Sequence, residues 1–249
     1  YKLGRLSLEQ ELDAQGVGWL TELLRHEPDH AMGNLDIAEM KLELGGADRA
    51  VVTHADTALA GLSDETEIAR ARRHKGVALW RLQDAAGAVQ ALDGVVTTVK
   101  HPRVPLALGW ALTVTDPGAE RVLDLAKQAG ELGAEPAQVK ELVAVLMAQQ
   151  GEHAAAASTF AELHAAAEPG SDQARALQYR LGMSLFAQGP EHYDQAEELL
   201  RGLRDYRPSH VTLANAAREI DRALDAIADH RQAVAREQAA TERAATEAE

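Results

Sequence analysis

One stretch of this chain has the residue types and spacing of a metal enzyme: His26-Glu27-Pro28-Asp29-His30. On a helix, an H-E-x-x-H pattern places two imidazoles one turn apart, ready to hold zinc, with the Glu as general base. Pro28 stands between the two imidazoles. It removes a backbone donor and disfavours helix at the residue before it. The segment therefore predicts a break between elements and no zinc, and Arg207-Pro208-Ser209-His210 has the same shape. The other histidines (His54, His74, His101, His153, His164, His192, His230) are scattered without a nucleophile and carboxylate nearby in sequence. No G-x-S-x-G elbow occurs, and Gly16 and Gly18 alone do not make a phosphate-cradling loop. Cys is absent from the 249 residues, which excludes thiolate catalysis, zinc–thiolate sites and disulfides. No catalytic residue and no cofactor is expected. An active site assembled across several elements is the remaining enzyme reading, and no motif supports it.

The second cluster with chemical potential is basic: Arg70, Arg72, Arg73, His74 and Lys75. With Glu65 and Glu67 beside it, it reads as a solvated helix start. Its functional reading is a local site for an anion or an acidic peptide. The chain around it has net charge −14 and an estimated pI near 5.1. That balance opposes a nucleic-acid face and an anionic membrane surface, and favours a neutral or basic partner. No apolar run is long enough to span a bilayer. The sequence begins at Tyr1, not Met, which reads as a processed or excised piece and leaves an upstream signal or anchor open. The compartment stays open between cytoplasm and periplasm.

The elements that must position such residues are helical. Aromatics make up 4% of the chain, and Ala, Leu, Glu, Gln and Arg dominate. Strand-rich folds want more aromatic and β-branched residues. The helices recur in pairs. Tyr179–Pro208 contains Leu181-Gly182, a Gly189-Pro190 turn, Tyr193, Ala196, a Leu-rich stretch and a closing Pro208. Upstream, Leu3-Gly4 leads to Gly16, Leu20, Leu23 and Pro28, and Ile37-Ala38 leads to Ala50 and a break near Leu62. Lys75-Gly76 and Leu79 lead to Ala88, Leu92, Val95 and Pro102. Leu108-Gly109 and Leu112 lead to Ala119, Leu123, Ala126, Gly133 and Pro136, and Val143-Ala144 and Met147 lead to Ala156, Phe160, Leu163 and Pro169. The spacing is about 34 residues. Small residues let paired helices approach, and Pro closes each second helix. Turns are expected at Gly45-Gly46, Gln83-Asp84, Asp116-Pro117, Gly151-Glu152 and Gly189-Pro190.

This grammar resembles the tetratricopeptide repeat, over roughly residues 1–208. Lys41 and His54 depart from it, standing where large apolar residues are usual, and the unit at 102–136 is irregular around Asp116-Pro117. The resemblance implies an all-α fold: a right-handed alpha-solenoid of about six helix-turn-helix units, the first truncated, with a C-terminal cap helix. Residues 209–249 would form that helix and a polar tail. Ser209 can start it, and Leu213, Ala217, Ile220, Leu224, Ile227 and Val234 give one apolar stripe. From Ala235 onward little is left to bury, and fraying is expected.

The resemblance also implies a function: a non-catalytic protein–protein interaction scaffold whose first helices line a concave groove for a partner polypeptide. The inward positions are then Arg70, Arg73, Val77, Trp80, Leu106, Trp110, Val145, Tyr179, Met183 and Phe186. The competing reading of Trp80 and Trp110 is ordinary packing between helices. The Lys/Asn/Arg set by which some family members clamp chaperone termini is incomplete here. The alternative function is a structural subunit permanently assembled into a larger complex, with self-association through 209–235. The partner in either case is another protein or peptide segment. Nucleic acid and direct membrane insertion are not expected.

Overall fold

The computed structural model describes residues 1–9, 13–208 and 210–247, without the side chains of 6–9, 13, 14 and 211. Among them there are thirteen α-helices and no strand. They are α1 (Lys2–Glu9), α2 (Asp13–His26), α3 (Ala31–Leu44), α4 (Asp48–Gly61), α5 (Glu65–Arg81), α6 (Ala85–Leu92) and α7 (Arg103–Thr115). Then come α8 (Arg121–Glu131), α9 (Pro136–Gln149), α10 (His153–Ala166), α11 (Asp172–Gln188), α12 (Tyr193–Arg201) and α13 (Ala216–Glu247). The chain forms two compact units, Tyr1–Leu142 and Val143–Glu249, divided within α9. No helix among the described residues is long and apolar enough to cross a membrane.

Within the first unit, helices pack on their chain neighbours from α3 through α8, and α3, α5 and α7 also touch one another as a row of first helices. The expected turns all fall between the two helices of a pair. Gly45, Gly46, Gly151 and Gly189 take positive φ there, and so does Gln83, at 67°. Small first-helix residues permit the close approach. A Cβ on Gly76 would stand 2.4 Å from Leu92 of its own pair, and one on Gly182 would stand 2.7 Å from Leu200. Gly109 differs. Its close neighbour is Leu142 in the first half of α9 at 2.7 Å, not its own second helix.

In the second helices the fourth residue is fully buried: Ala88, Ala156, Ala196 and, in α4, Val51. Ala50 and Ala119 were expected at that contact and are only half-buried. In α4 the buried position falls one residue later. In the irregular unit Ala119 precedes the helix, and Val122 takes the buried place. The closing prolines also need correction. Helices α6 and α12 stop at Leu92 and Arg201, ahead of Gly94 and Gly202, well before Pro102 and Pro208. Asp93 and Gly202 stay in the right-handed region, and the chain leaves each helix through a tightened turn in which Val95 donates to Leu92 and Leu203 to Leu200. Val95, Val96 and Leu203 still bury in the turns that follow.

His54 fills its apolar slot by hydrogen bonding. Its Nδ1 lies 2.8 Å from Asn34 Oδ1, and the Asn34 amide donates to the carbonyls of Pro28 and His30. This polar anchor pins the turn between α2 and α3.

In the second unit α13 packs on α11 and α12. Ser209 lies outside the described residues, so its capping role has no structural account. A 3₁₀ turn at Val211–Leu213 precedes the helix. The buried stripe is Leu213, Ala216, Ile220, Ala223 and Ile227, whereas Ala217 and Leu224 are half-buried and Val234 is exposed. The polar tail continues as helix to Glu247, exposed on every side from Arg231 onward.

Candidate functional site

The first helices of the first unit present charge. Asp36 on α3 is 1% exposed and accepts from Arg5 Nη1 of α1 at 2.8 Å, with Arg70 Nη2 of α5 at 3.5 Å. Glu39, one turn further, accepts from Arg70 at 2.5 Å and from Arg73 at 2.8 Å. Glu67 also meets Arg70 at 2.5 Å, and Glu43 of α3 meets Arg103 of α7 at 2.8 Å. These carboxylates and guanidiniums form a ladder across α1, α3, α5 and α7. Helical spacing sets it, since Asp36, Glu39 and Glu43 lie three and four apart on one face. Arg70 and Arg73 of the basic cluster read from sequence are therefore answered by carboxylates within the chain. Lys75 pairs separately with Asp56 at 2.7 Å.

His74 is fully buried beneath this ladder. Its Nε2 lies 2.6 Å from Arg73 Nη2. A guanidinium only donates, so Nε2 accepts from it, and Nδ1 is buried without a hydrogen-bond partner among the described residues. Burial pushes the His74 pKa down, and the nearby Arg73 and Arg70 push the same way against Glu39. Burial pushes the Asp36 pKa up, opposed by Arg5 and Arg70.

The positions predicted to face a partner separate into two groups. Val77, Trp80, Leu106 and Tyr179 are buried, at 4%, 8%, 8% and 7% exposure. Arg70, Arg73, Trp110, Val145, Met183 and Phe186 are half-buried. Arg70 and Arg73 enter the ladder, and Trp110 lies on α7, the next first helix of that row. Tyr179, Met183 and Phe186 pack together with α13. The Tyr179 hydroxyl donates to Glu219 of α13, Phe186 stacks on Tyr193, and Tyr193 meets His230 edge-on. Sequence reasoning missed Glu39, Glu43, Asp36 and Arg103. The signal was the run of acids at helical spacing on α3, one repeat before the Arg cluster.

The zinc-like motif is split. His26 ends α2, and His30 caps α3, its Nδ1 accepting from the Gly33 amide at 3.0 Å. The two imidazoles stand on different elements and cannot form the helical pair. No cluster of three or more metal-ligating side chains occurs among the described residues.

No protein-family model matches the sequence, and no curated protein matches it. Solved structures do. YrrB, a TPR protein with an unusual peptide-binding site, shares 19% identity, with 80% of this chain and 97% of that one covered and a TM-score of 0.51. MamA protein shares 15% identity over 72% of this chain and 96% of that one, with a TM-score of 0.49. Yeast Tom70 shares 15% identity over 87% of this chain and 44% of that one, with a TM-score of 0.49. The fold is all-α, built from helix pairs of the tetratricopeptide type.

Proposed function

We propose that this chain is a non-catalytic scaffold that holds a partner polypeptide against the row of first helices α3, α5 and α7. The observation that carries the reading is the placement of half-buried Trp110 on the row that bears the Arg70–Glu39–Arg73 and Glu43–Arg103 pairs. Aromatic and Arg side chains dominate binding energy at protein interfaces. The ladder holds Arg and Glu side chains in fixed positions, which lowers the ordering cost when a partner's polar groups exchange for the internal ones. Stacked helix pairs favour this use, because each adds one helix to a continuous surface. Val77, Trp80 and Leu106, all buried, support that surface from beneath.

The test is affinity capture from the source lysate, comparing the natural chain with Trp110→Ala. The substitution should weaken capture of a specific polypeptide by about 2 kcal/mol or more, with helix content unchanged. Equal capture by both proteins would remove the reading.

A second reading, a subunit permanently held in a complex, draws on the exposed apolar residues Leu3, Trp19 and Leu44, at 61%, 52% and 76%. Such residues mark interfaces when they gather into a patch. Changing Trp19→Gln separates the two readings. It should leave capture intact under the scaffold reading and release stable neighbours under the other.

A further inference from the structure

Helix α11 is apolar on two sides. Tyr179, Met183 and Phe186 lie on one side and pack together with α13. Leu181 and Leu185 lie about half a turn round the helix and line a separate groove between α10 and α12. The groove has a volume of about 530 Å³. Leu199 of α12 completes its floor, and all three leucines are half-buried. Helix α10 contributes only Ala154, Ala157, Ser158 and Ala161. We propose that this groove holds two turns of a partner's amphipathic helix, with large apolar side chains on the leucines and a Lys or Arg against Glu198.

The first unit carries an ion pair at the corresponding positions. Counted from the buried fourth residue of each second helix, Ala161 of α10 matches Asp56 of α4. Counted from the glycine of close approach, Leu181 of α11 matches Lys75 of α5. Asp56 and Lys75 pair at 2.7 Å across α4 and α5. The second unit has apolar side chains at both places. With only alanine and serine on α10, the depth of the groove is left to side chains from outside, and contiguous open apolar surface marks an interaction site.

The charge at the rim selects the occupant. Asp194 and Glu197 of α12 are bonded to Arg231, and Glu197 also to Arg201. Glu198 lines the groove and has no ion-pair or hydrogen-bond partner among the described residues. It attracts a cation and repels a fatty-acid carboxylate or a phosphorylated segment, and the net charge of −14 adds to that preference. The lining residues of α10 fall at i, i+3, i+4 and i+7, two turns of helix or about 10 Å. A helical partner arrives with its backbone already hydrogen bonded. An extended one would need partners for its amides that leucine and alanine do not supply. The groove lies in the second unit and stands whether or not the first-helix row of the first unit binds a polypeptide.

The probe is a fluorescein-labelled, alanine-based helical peptide with leucines along one face and lysines beside them, titrated into the full chain. One control peptide has glutamate in place of lysine, and another has serine in place of leucine. Anisotropy measures affinity, and the methyl signals of Leu181, Leu185 and Leu199, followed by NMR, report the place of binding. The lysine peptide should saturate and move the three leucines together, and each control should bind about tenfold more weakly. Glu198→Lys should invert the order of the lysine and glutamate peptides. Ala161→Asp/Leu181→Lys, which copies the Asp56–Lys75 pair, should weaken the lysine peptide about tenfold. Its circular dichroism spectrum should be unchanged, because Ala161 is exposed and Leu181 half-buried. Absence of saturable binding, a peptide order unaltered by Glu198→Lys, or full binding by the double variant would overturn the proposal. A dimer that the double variant dissolves would assign the groove to a second copy of the chain. Saturation by decanoate without saturation by the peptide would assign it to an acyl chain, and either result overturns the proposal as well.

Discussion

The first-helix positions of the two units have opposite fates. On α3 and α5 of the first unit they carry Asp36, which is buried, and Glu39, Arg70 and Arg73, which are partly open to water, all joined by ion pairs. On α11 of the second unit they carry Tyr179, Met183 and Phe186, which pack together with α13. The helical register is the same in both. What separates them is an element about 40 residues downstream, whose Ile220, Ala223 and Ile227 need an apolar surface and find one on the last pair. A terminal pair has no following repeat to bury its edge, so a polar-backed helix does so. The first unit thus keeps Arg70, Arg73 and Trp110 half-buried, and the second packs Tyr179, Met183 and Phe186 against its own α13.

The contrast can be broken from the capped side first. Ile220→Ala removes a fully buried side chain at the centre of the α11–α12–α13 cluster and should cost about 2–5 kcal/mol. Denaturant unfolding measures this. Truncation after Ala235 removes only exposed helix and should leave the midpoint where it is. A large loss from that truncation, with little from Ile220→Ala, would show that the covering element has been misplaced.

On the open side Arg70→Ala should cost about 1–3 kcal/mol. It withdraws a partner from Glu39, and a neighbour from Asp36, which is buried and keeps Arg5 and the Tyr1 hydroxyl close by. A loss below a few tenths of a kcal/mol would mean that water serves those carboxylates equally well. The ladder also gives stability a pH dependence with a defined sign. His74 has its folded-state pKa lowered by burial, so as pH falls below about 6.5 the unfolded chain takes the proton first. Stability should therefore decline from that pH downward until the lowered pKa is reached. Asp36 acts with the opposite sign at more acid pH, because burial raises its pKa and the folded chain is protonated first. Thermal melts of the natural chain and of His74→Gln between pH 7 and pH 5 isolate the histidine. The variant should show the shallower slope, and parallel slopes would exclude His74 as the source. The smallest effect belongs to Arg103→Gln, which breaks the half-exposed pair with Glu43 and should cost about 0.2–1 kcal/mol, less at high salt.

Much of the fold was legible in the residues. Leucine–glycine pairs, interhelix turns and the apolar stripe after Pro208 each mark local geometry that one side chain can dictate. Gly76 must face Leu92 closely, and Gln83-Asp84 must turn. The helix ends at Leu92 and Arg201 were less legible, because tightened turns end these helices well before the prolines that the sequence offers. The site was legible only in part. Large residues at helical spacing look alike whether they are roofed, as Tyr179 is by α13, or half-open, as Trp110 is. Charge was legible only in part for a related reason. Arg70 and Arg73 look like an anion site until α3 is placed beside them with Glu39.

The central claim is that the first unit's face binds a partner while the second unit's aromatic residues are core. It is tested most directly by pairing Trp110→Ala with Phe186→Ala and measuring, for each, the affinity for the captured polypeptide and the midpoint of unfolding. Trp110→Ala is predicted to lose about 2 kcal/mol of affinity and little stability, and Phe186→Ala to lose stability with affinity unchanged. Loss of affinity from Phe186→Ala with a normal midpoint, together with full binding by Trp110→Ala, would contradict it.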